Sequence, residues 1–148
     1  MWVLPLDGNR KPYPVLSPDG RWLAYLSNES GTPQIYVVGF NGRHGKWQVS
    51  ANGGQYPLWS QDGKELFYSY SGNSIYAVPV KEVAGALQFG GTHEAIVSGW
   101  AAPNPWFQGS PDGKKILIYR VSQDVIDSLR WLRISPLRCK NKQSSKLA

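Results

Sequence analysis

The chain has one cysteine, two histidines and no long apolar run, and each shortage removes a class of function. Cys139 is alone among 148 residues, which excludes an internal disulfide and leaves the redox compartment open. Arg138 and Lys140 beside it would favour a thiolate if it were exposed. With no His or second Cys near it in sequence, it reads as an incidental thiol. His44 and His93 are far apart and lack ligand spacing, so no metal site is expected. No apolar stretch approaches the ~18 residues of a membrane helix, and no basic-then-apolar leader with a cleavage site opens the chain. Catalytic signatures are missing too. Gly72-Asn73-Ser74-Ile75 runs into Tyr76 where a nucleophile elbow needs Gly. There is no Walker loop, and none of the Gly-rich, His-Arg-Asp or Asp-Phe-Gly segments of a protein kinase. No cofactor is implied, and the chain itself is expected not to be an enzyme.

Acidic residues are absent from one end. Residues 1–128 hold 10 basic and 10 acidic side chains. Arg130, Arg133, Arg138, Lys140, Lys142 and Lys146 follow with no acid, and they supply the whole net charge of +6. Such a tail can attract anionic partners. No aromatic interleaving or nucleic-acid fold accompanies it, so it reads as a solvated end, with nucleic acid not expected as a partner.

A repeat is present instead. Ser17-Pro18-Asp19-Gly20, Ser60-Gln61-Asp62-Gly63 and Ser110-Pro111-Asp112-Gly113 are spaced by 43 and 50 residues. Pro fixes φ at the second position of a turn, Asp bonds nearby backbone, and Gly takes the positive φ that closes it. Each is followed by a basic residue or two and an apolar run: Trp22-Leu23-Ala24-Tyr25, Leu66-Phe67-Tyr68 and Ile116-Leu117-Ile118. Asp19, Asp62 and Asp112 are therefore equivalent turn residues of separate units, not an acid–base pair. Between turns come polar breaks and further apolar segments, Ile35-Tyr36-Val37-Val38, Ile75-Tyr76-Ala77-Val78 and the closing Lys46–Ser50 and Glu94–Val97. Each unit reads as four short strands of about five residues.

Four-stranded units at this period point to an all-β fold, a partial β-propeller of antiparallel blades. Runs such as Ile116-Leu117-Ile118-Tyr119 do not alternate, as suits strands buried on both faces, and seven Trp and eight Tyr can fill gaps between sheets. A two-layer sandwich is the competing arrangement. The expected division is residues 1–15 as the end of a preceding blade, 16–55 and 56–99 as blades, 100–134 as an incomplete last blade and 135–148 as a disordered basic tail. Propellers close with about four to eight blades. Missing blades or self-association are therefore expected to complete this one.

Ser17-Pro18-Asp19-Gly20-Arg21-Trp22-Leu23-Ala24-Tyr25, with Ile35-Tyr36-Val37 after it, resembles the WD40-like propeller repeat of TolB-type proteins. Gly45–Gly54 together with Leu58–Tyr68 is similar, more specifically, to propellers fused to bacterial serine/threonine protein kinases and some membrane-linked transcription regulators. The resemblance covers about residues 1–120, and the end from Ile134 onward departs from it. It implies a non-catalytic module that senses or binds a protein partner or small ligand beside an effector domain, with a periplasmic or membrane-tethered setting allowed. An alternative it implies is the propeller part of a kinase, or of a prolyl-oligopeptidase-type serine peptidase, whose catalytic domain lies elsewhere.

In a four-stranded meander the Ser-Pro-Asp-Gly turns share one end with the turns between strands three and four. The other end collects the loops between strands two and three and those leading to the next blade. Polar side chains on loops held by a rigid scaffold are the expected binding residues. These are Asn28, Glu29, Asn52, Gln55, Trp100 and Asn104.

Overall fold

The computed structural model describes residues 13–40, 44–70, 74–97, 107–110, 112, 114–122 and 125–133. Trp100, Asn104, Pro111, Gly113, Asn73, Cys139 and the segments 1–12 and 134–148 lie outside the described residues. All the regular structure described is strand. The first sheet runs in chain order through β1 (Val15–Leu16), β2 (Trp22–Ser27), β3 (Gln34–Gly39) and β4 (Lys46–Gln48). The second contains β5 (Gln55–Trp59), β6 (Glu65–Tyr70), β7 (Ser74–Val83), β8 (Ala86–Phe89) and β9 (His93–Val97). The third contains β10 (Phe107–Gly109), β11 (Lys115–Ser122) and β12 (Val125–Arg133). Every pairing is antiparallel.

The repeated tetrapeptide builds the same turn each time. Ser17 Oγ donates to Asp19 Oδ1 and accepts the Trp22 N–H at 3.0 Å, while Gly20, at φ 70°, donates its N–H to the Ser17 carbonyl at 2.8 Å. Ser60 repeats both side-chain bonds with Asp62 and the Glu65 N–H, and Ser110 repeats them with Asp112 and the Lys115 N–H. All three serines are buried, so the hydroxyls satisfy backbone that no strand reaches.

These turns have an acid limit. Burial opposes ionisation of Asp19, but hydrogen bonds from Ser17 and Arg21 outweigh it and hold the carboxyl below its ordinary value. Asp62 is lowered in the same way, against burial, by Ser60 and the Lys64 N–H; Asp112 is lowered chiefly by Ser110. Depressed carboxylates stabilise the fold above their unfolded pKa, about 4, and that contribution disappears as pH falls through the folded values. Thermal melts followed by circular dichroism are expected to shift down as pH falls below about 4. Asp19→Asn, Asp62→Asn and Asp112→Asn combined should flatten that slope, and an unchanged slope would remove the turns from the acid response.

Packing follows from the pleat, which sends alternate residues to opposite faces. Trp22, Ala24, Leu26, Ile35 and Val37 of the first sheet share a core with Trp59, Leu66, Tyr68, Val78 and Val80 of the second. Phe67, Ile75 and Ala77 on the second sheet's other face pack with Ile116 and Ile118 of the third. Leu23, Tyr25, Tyr36 and Val38 form a buried cluster on the far side of the first sheet, with Phe40 against it. Trp59 also donates its indole N–H to the Val15 carbonyl at 3.1 Å, joining the first strands of two sheets. The sheets therefore stack one after another in chain order. A two-layer sandwich would give them one shared core.

The second sheet differs from the expected four strands. β7 is ten residues long: its first half pairs with β9 and its second half with β8. Ala84 and Gly85, at φ 51° and 81°, make the two-residue turn between Val83 and Ala86. Two positive φ values match the right-handed twist of a tight hairpin. Arg21 holds this extra hairpin to the first sheet, with its guanidinium 2.7 Å from Glu82 and its Nε on Asp19.

Candidate functional site

The ends of the sheets separate as the meander requires. Phe40 N–H donates to the Arg21 carbonyl and Val80 N–H to the Lys64 carbonyl, which places the tetrapeptide turns beside the exit of β3 and the middle of β7, where its pairing passes to β8. At the opposite end the β2–β3 loop meets the β4–β5 loop, where Gly54 N–H donates to the Pro33 carbonyl at 3.0 Å.

Gln34 ties these two loops together. Its Oε1 accepts from Ser50 Oγ at 2.5 Å and from the Gly53 N–H at 3.0 Å. Its Nε2 donates to Thr32 Oγ1 at 3.1 Å and to the Ala51 carbonyl at 3.2 Å. All four hydrogen-bonding positions of the amide are filled, so one orientation is specified. Ser50 in turn accepts the Ile35 N–H at 2.8 Å. Gln34 is 3% exposed and Ser50 2%, so this is a buried polar network and not a surface contact. Gly53 completes the corner at φ 112°; a Cβ there would come within 2.7 Å of the Tyr70 ring.

Among the expected binding residues, Glu29, Asn52 and Gln55 are exposed and Asn28 is half-buried. Asn28 Oδ1 is buried and has no hydrogen-bond partner among the described residues. Glu29 accepts from Lys46, whose ammonium lies 5.1 Å from the Tyr36 ring centre. The Glu29 hydrogen bond raises the Lys46 pKa. The structure brings Asn28 and Glu29 into one loop and Asn52 and Gln55 into its neighbour.

Aromatic residues that sequence reasoning did not place join this end. Tyr13 and Tyr56 hold positive φ values of 42° and 50°, each just before a proline. For bulky residues this is a sparsely populated conformation, and residues held in one concentrate at ligand sites. Their rings meet edge to face at 4.7 Å. Tyr56 and Pro57 form a bulge, since Gln55 pairs with Ser69 while Leu58 pairs with Phe67. The signal available in the sequence was the repeated Tyr-Pro that precedes β1 and opens β5.

Cavities among the described residues lie elsewhere. A groove of about 660 Å³ runs between the first two tetrapeptide turns and the β7–β8 hairpin, with Trp22, Trp59 and Leu87 in its walls. A smaller one of about 270 Å³ lies along β1, β5 and β10, lined by Leu16, Leu58 and Gln108. Neither includes the loop end. Among the described residues no group of His, Cys, Asp and Glu could hold a metal, and no helix is long and apolar enough to cross a membrane.

Sheets stacked face to face, each a meander entered by the same inner-strand turn, define successive blades of a β-propeller. Solved structures add the type. The chain is similar to a TolB chain of Agrobacterium tumefaciens, with 22% identity and a TM-score of 0.58 over 82% of this chain and 42% of that one. It also aligns with a 6-phosphogluconolactonase chain of Bacteroides uniformis (20% identity, TM-score 0.49, 80% of this chain and 38% of that one). A third alignment is with TolB of Acinetobacter baumannii (19% identity, TM-score 0.41, 84% and 43%). The likeness to the Agrobacterium chain makes the fold a TolB-like β-propeller segment, and the chain spans about two-fifths of that chain's length. No protein-family model matches the chain, and no curated protein does.

Proposed function

We propose that this chain is a non-catalytic binding module whose recognition surface is the loop end carrying Asn28, Glu29, Asn52 and Gln55. The observation that supports it is the buried Gln34–Ser50 network, which joins two loops while Glu29, Asn52 and Gln55 on them stay exposed. The paired, half-buried Tyr13 and Tyr56 add aromatic edges at the same end. A rigid scaffold presenting amides, an acid and tyrosines suits a peptide or a small polar ligand, because little order has to be gained on binding. The resemblance to kinase-fused propellers supports a place beside an effector domain in a longer regulatory protein. The enzymatic alternative assigns the same segment to a kinase or serine peptidase, and adjoining coding sequence distinguishes the two.

Selection of a random-peptide library on the immobilised chain tests the surface. Enriched peptides are expected to bind the Glu29→Lys, Asn52→Lys double variant at least about tenfold more weakly, a loss of roughly 1.4 kcal/mol. They should bind Lys64→Glu, Lys114→Glu as before. Peptides that depend on Lys64 and Lys114 would move recognition to the opposite end and refute the assignment.

A further inference from the structure

One peptide nitrogen at the loop end has a reactive neighbour and is tied down. Asn is a chemically labile side chain, and the residue after Asn52 is Gly53, whose lack of a Cβ leaves its nitrogen open to approach. Asn52 is exposed, so water reaches it. The Gly53 N–H is donated to Gln34 Oε1 at 3.0 Å, and the Gly54 N–H to the Pro33 carbonyl at 3.0 Å. A Cβ added to Gly53 would come within 2.7 Å of the Tyr70 ring, so that ring bounds its movement on one side. The Asp-Gly peptides of the turns are tied differently. Gly20 and Gly63 donate to the Ser17 and Ser60 carbonyls at 2.8 and 3.0 Å, each within its own tetrapeptide. The tie on Gly53 comes instead from a residue 19 positions away, at the start of β3.

We infer that Asn52-Gly53 is a conditional deamidation site, closed while Gln34 joins the two loops and open when they part. In the open state the Gly53 nitrogen attacks the Asn52 side-chain carbonyl carbon. A C–N bond forms, and the side-chain nitrogen leaves as ammonia with the proton that the Gly53 nitrogen gives up. Water then adds to either carbonyl of the five-membered imide and gives aspartate or isoaspartate at this position. Attack requires the Gly53 N–H to be released and the corner to move, so local opening sets the rate. Either product adds a negative charge to the β4–β5 loop, and isoaspartate also lengthens its backbone. Separation of the loops is thereby recorded as a lasting change of charge. This inference uses the Gln34 contacts but does not depend on the loop end binding a ligand.

Peptide mapping by mass spectrometry after incubating the full chain in mildly alkaline buffer tests it. The map separates Asn52 from the other Asn-Gly, Asn41-Gly42, which lies outside the described residues. The folded chain should convert Asn52 at least about tenfold more slowly than the free peptide of residues 49–56. Gln34→Ala should raise the folded rate at least about tenfold, while isoaspartate at Asp19 and Asp62 follows only the global change in stability. Circular dichroism establishes that the variant is folded. A second measurement needs no variant. In the wild-type chain, Gly53 amide exchange and Asn52 conversion should be slowed relative to the peptide by factors that agree within about threefold. Conversion as fast as in the peptide, no rise in folded Gln34→Ala, an equal rise at Asp19 and Asp62, or disagreement of the two wild-type factors would overturn the inference.

Discussion

Phe67→Ala is expected to destabilise the fold by about 3–5 kcal/mol, the usual effect of emptying a buried aromatic site. Phe67 is 1% exposed and stands in the middle of β6, where it packs with Ile75, Ala77, Ile116 and Ile118. The loss has two parts, the transfer of a large apolar side chain and a cavity between two sheets that cannot easily approach each other. For a chain of this length the melting temperature should fall by roughly 10 °C. Leu16→Ala, on an inner strand and 45% exposed, should cost under about 0.5 kcal/mol. Urea unfolding of the two variants compares them directly. Equal losses would mean that the second and third sheets are not packed through Phe67.

The second large effect is expected at Gln34. Gln34→Ala leaves the buried Ser50 Oγ and the half-buried Gly53 N–H without this partner, a cost of about 1–3 kcal/mol. Ser50→Ala removes the acceptor of the Ile35 N–H and should cost about 1–3 kcal/mol. The two residues share one network, so the double variant should cost less than the sum of the singles. Hydrogen exchange separates this from a general loss of stability. The Gly53 amide should exchange at least about tenfold faster in Gln34→Ala, while β6 amides follow only the global change. If Gly53 is unaffected, the loops are not locked by this side chain, and the proposed recognition surface loses its support.

The turns were legible because their chemistry is local. Ser17, Asp19 and Gly20 interact within five residues, and the same solution appears at Ser60 and Ser110. The all-β class and the end-to-end separation of the loops followed from that spacing. The β7–β8 hairpin was not legible, because Ala84 adopts a φ of 51° in a turn where Asn or Gly would be the usual signal. Neither was the Gln34–Ser50 network. It joins residues 16 apart through side chains, and the equivalent place in the second unit is Ser74, so no repeat announces it. Tyr13 and Tyr56 were visible as a repeated Tyr-Pro, but their left-handed backbone, which at Tyr56 falls in a bulge, was not.

Among the described residues the three sheets are consecutive blades, each sharing its core with its neighbour in the chain. Methyl–methyl nuclear Overhauser effects measure this most directly. Ala24 and Val37 should show contacts to Leu66 or Val78, and Ala77 should show contacts to Ile116 or Ile118, matching the two separate cores. Contacts from Ala24 or Val37 to Ile116 or Ile118 would place the first and third sheets across one shared core and contradict the propeller.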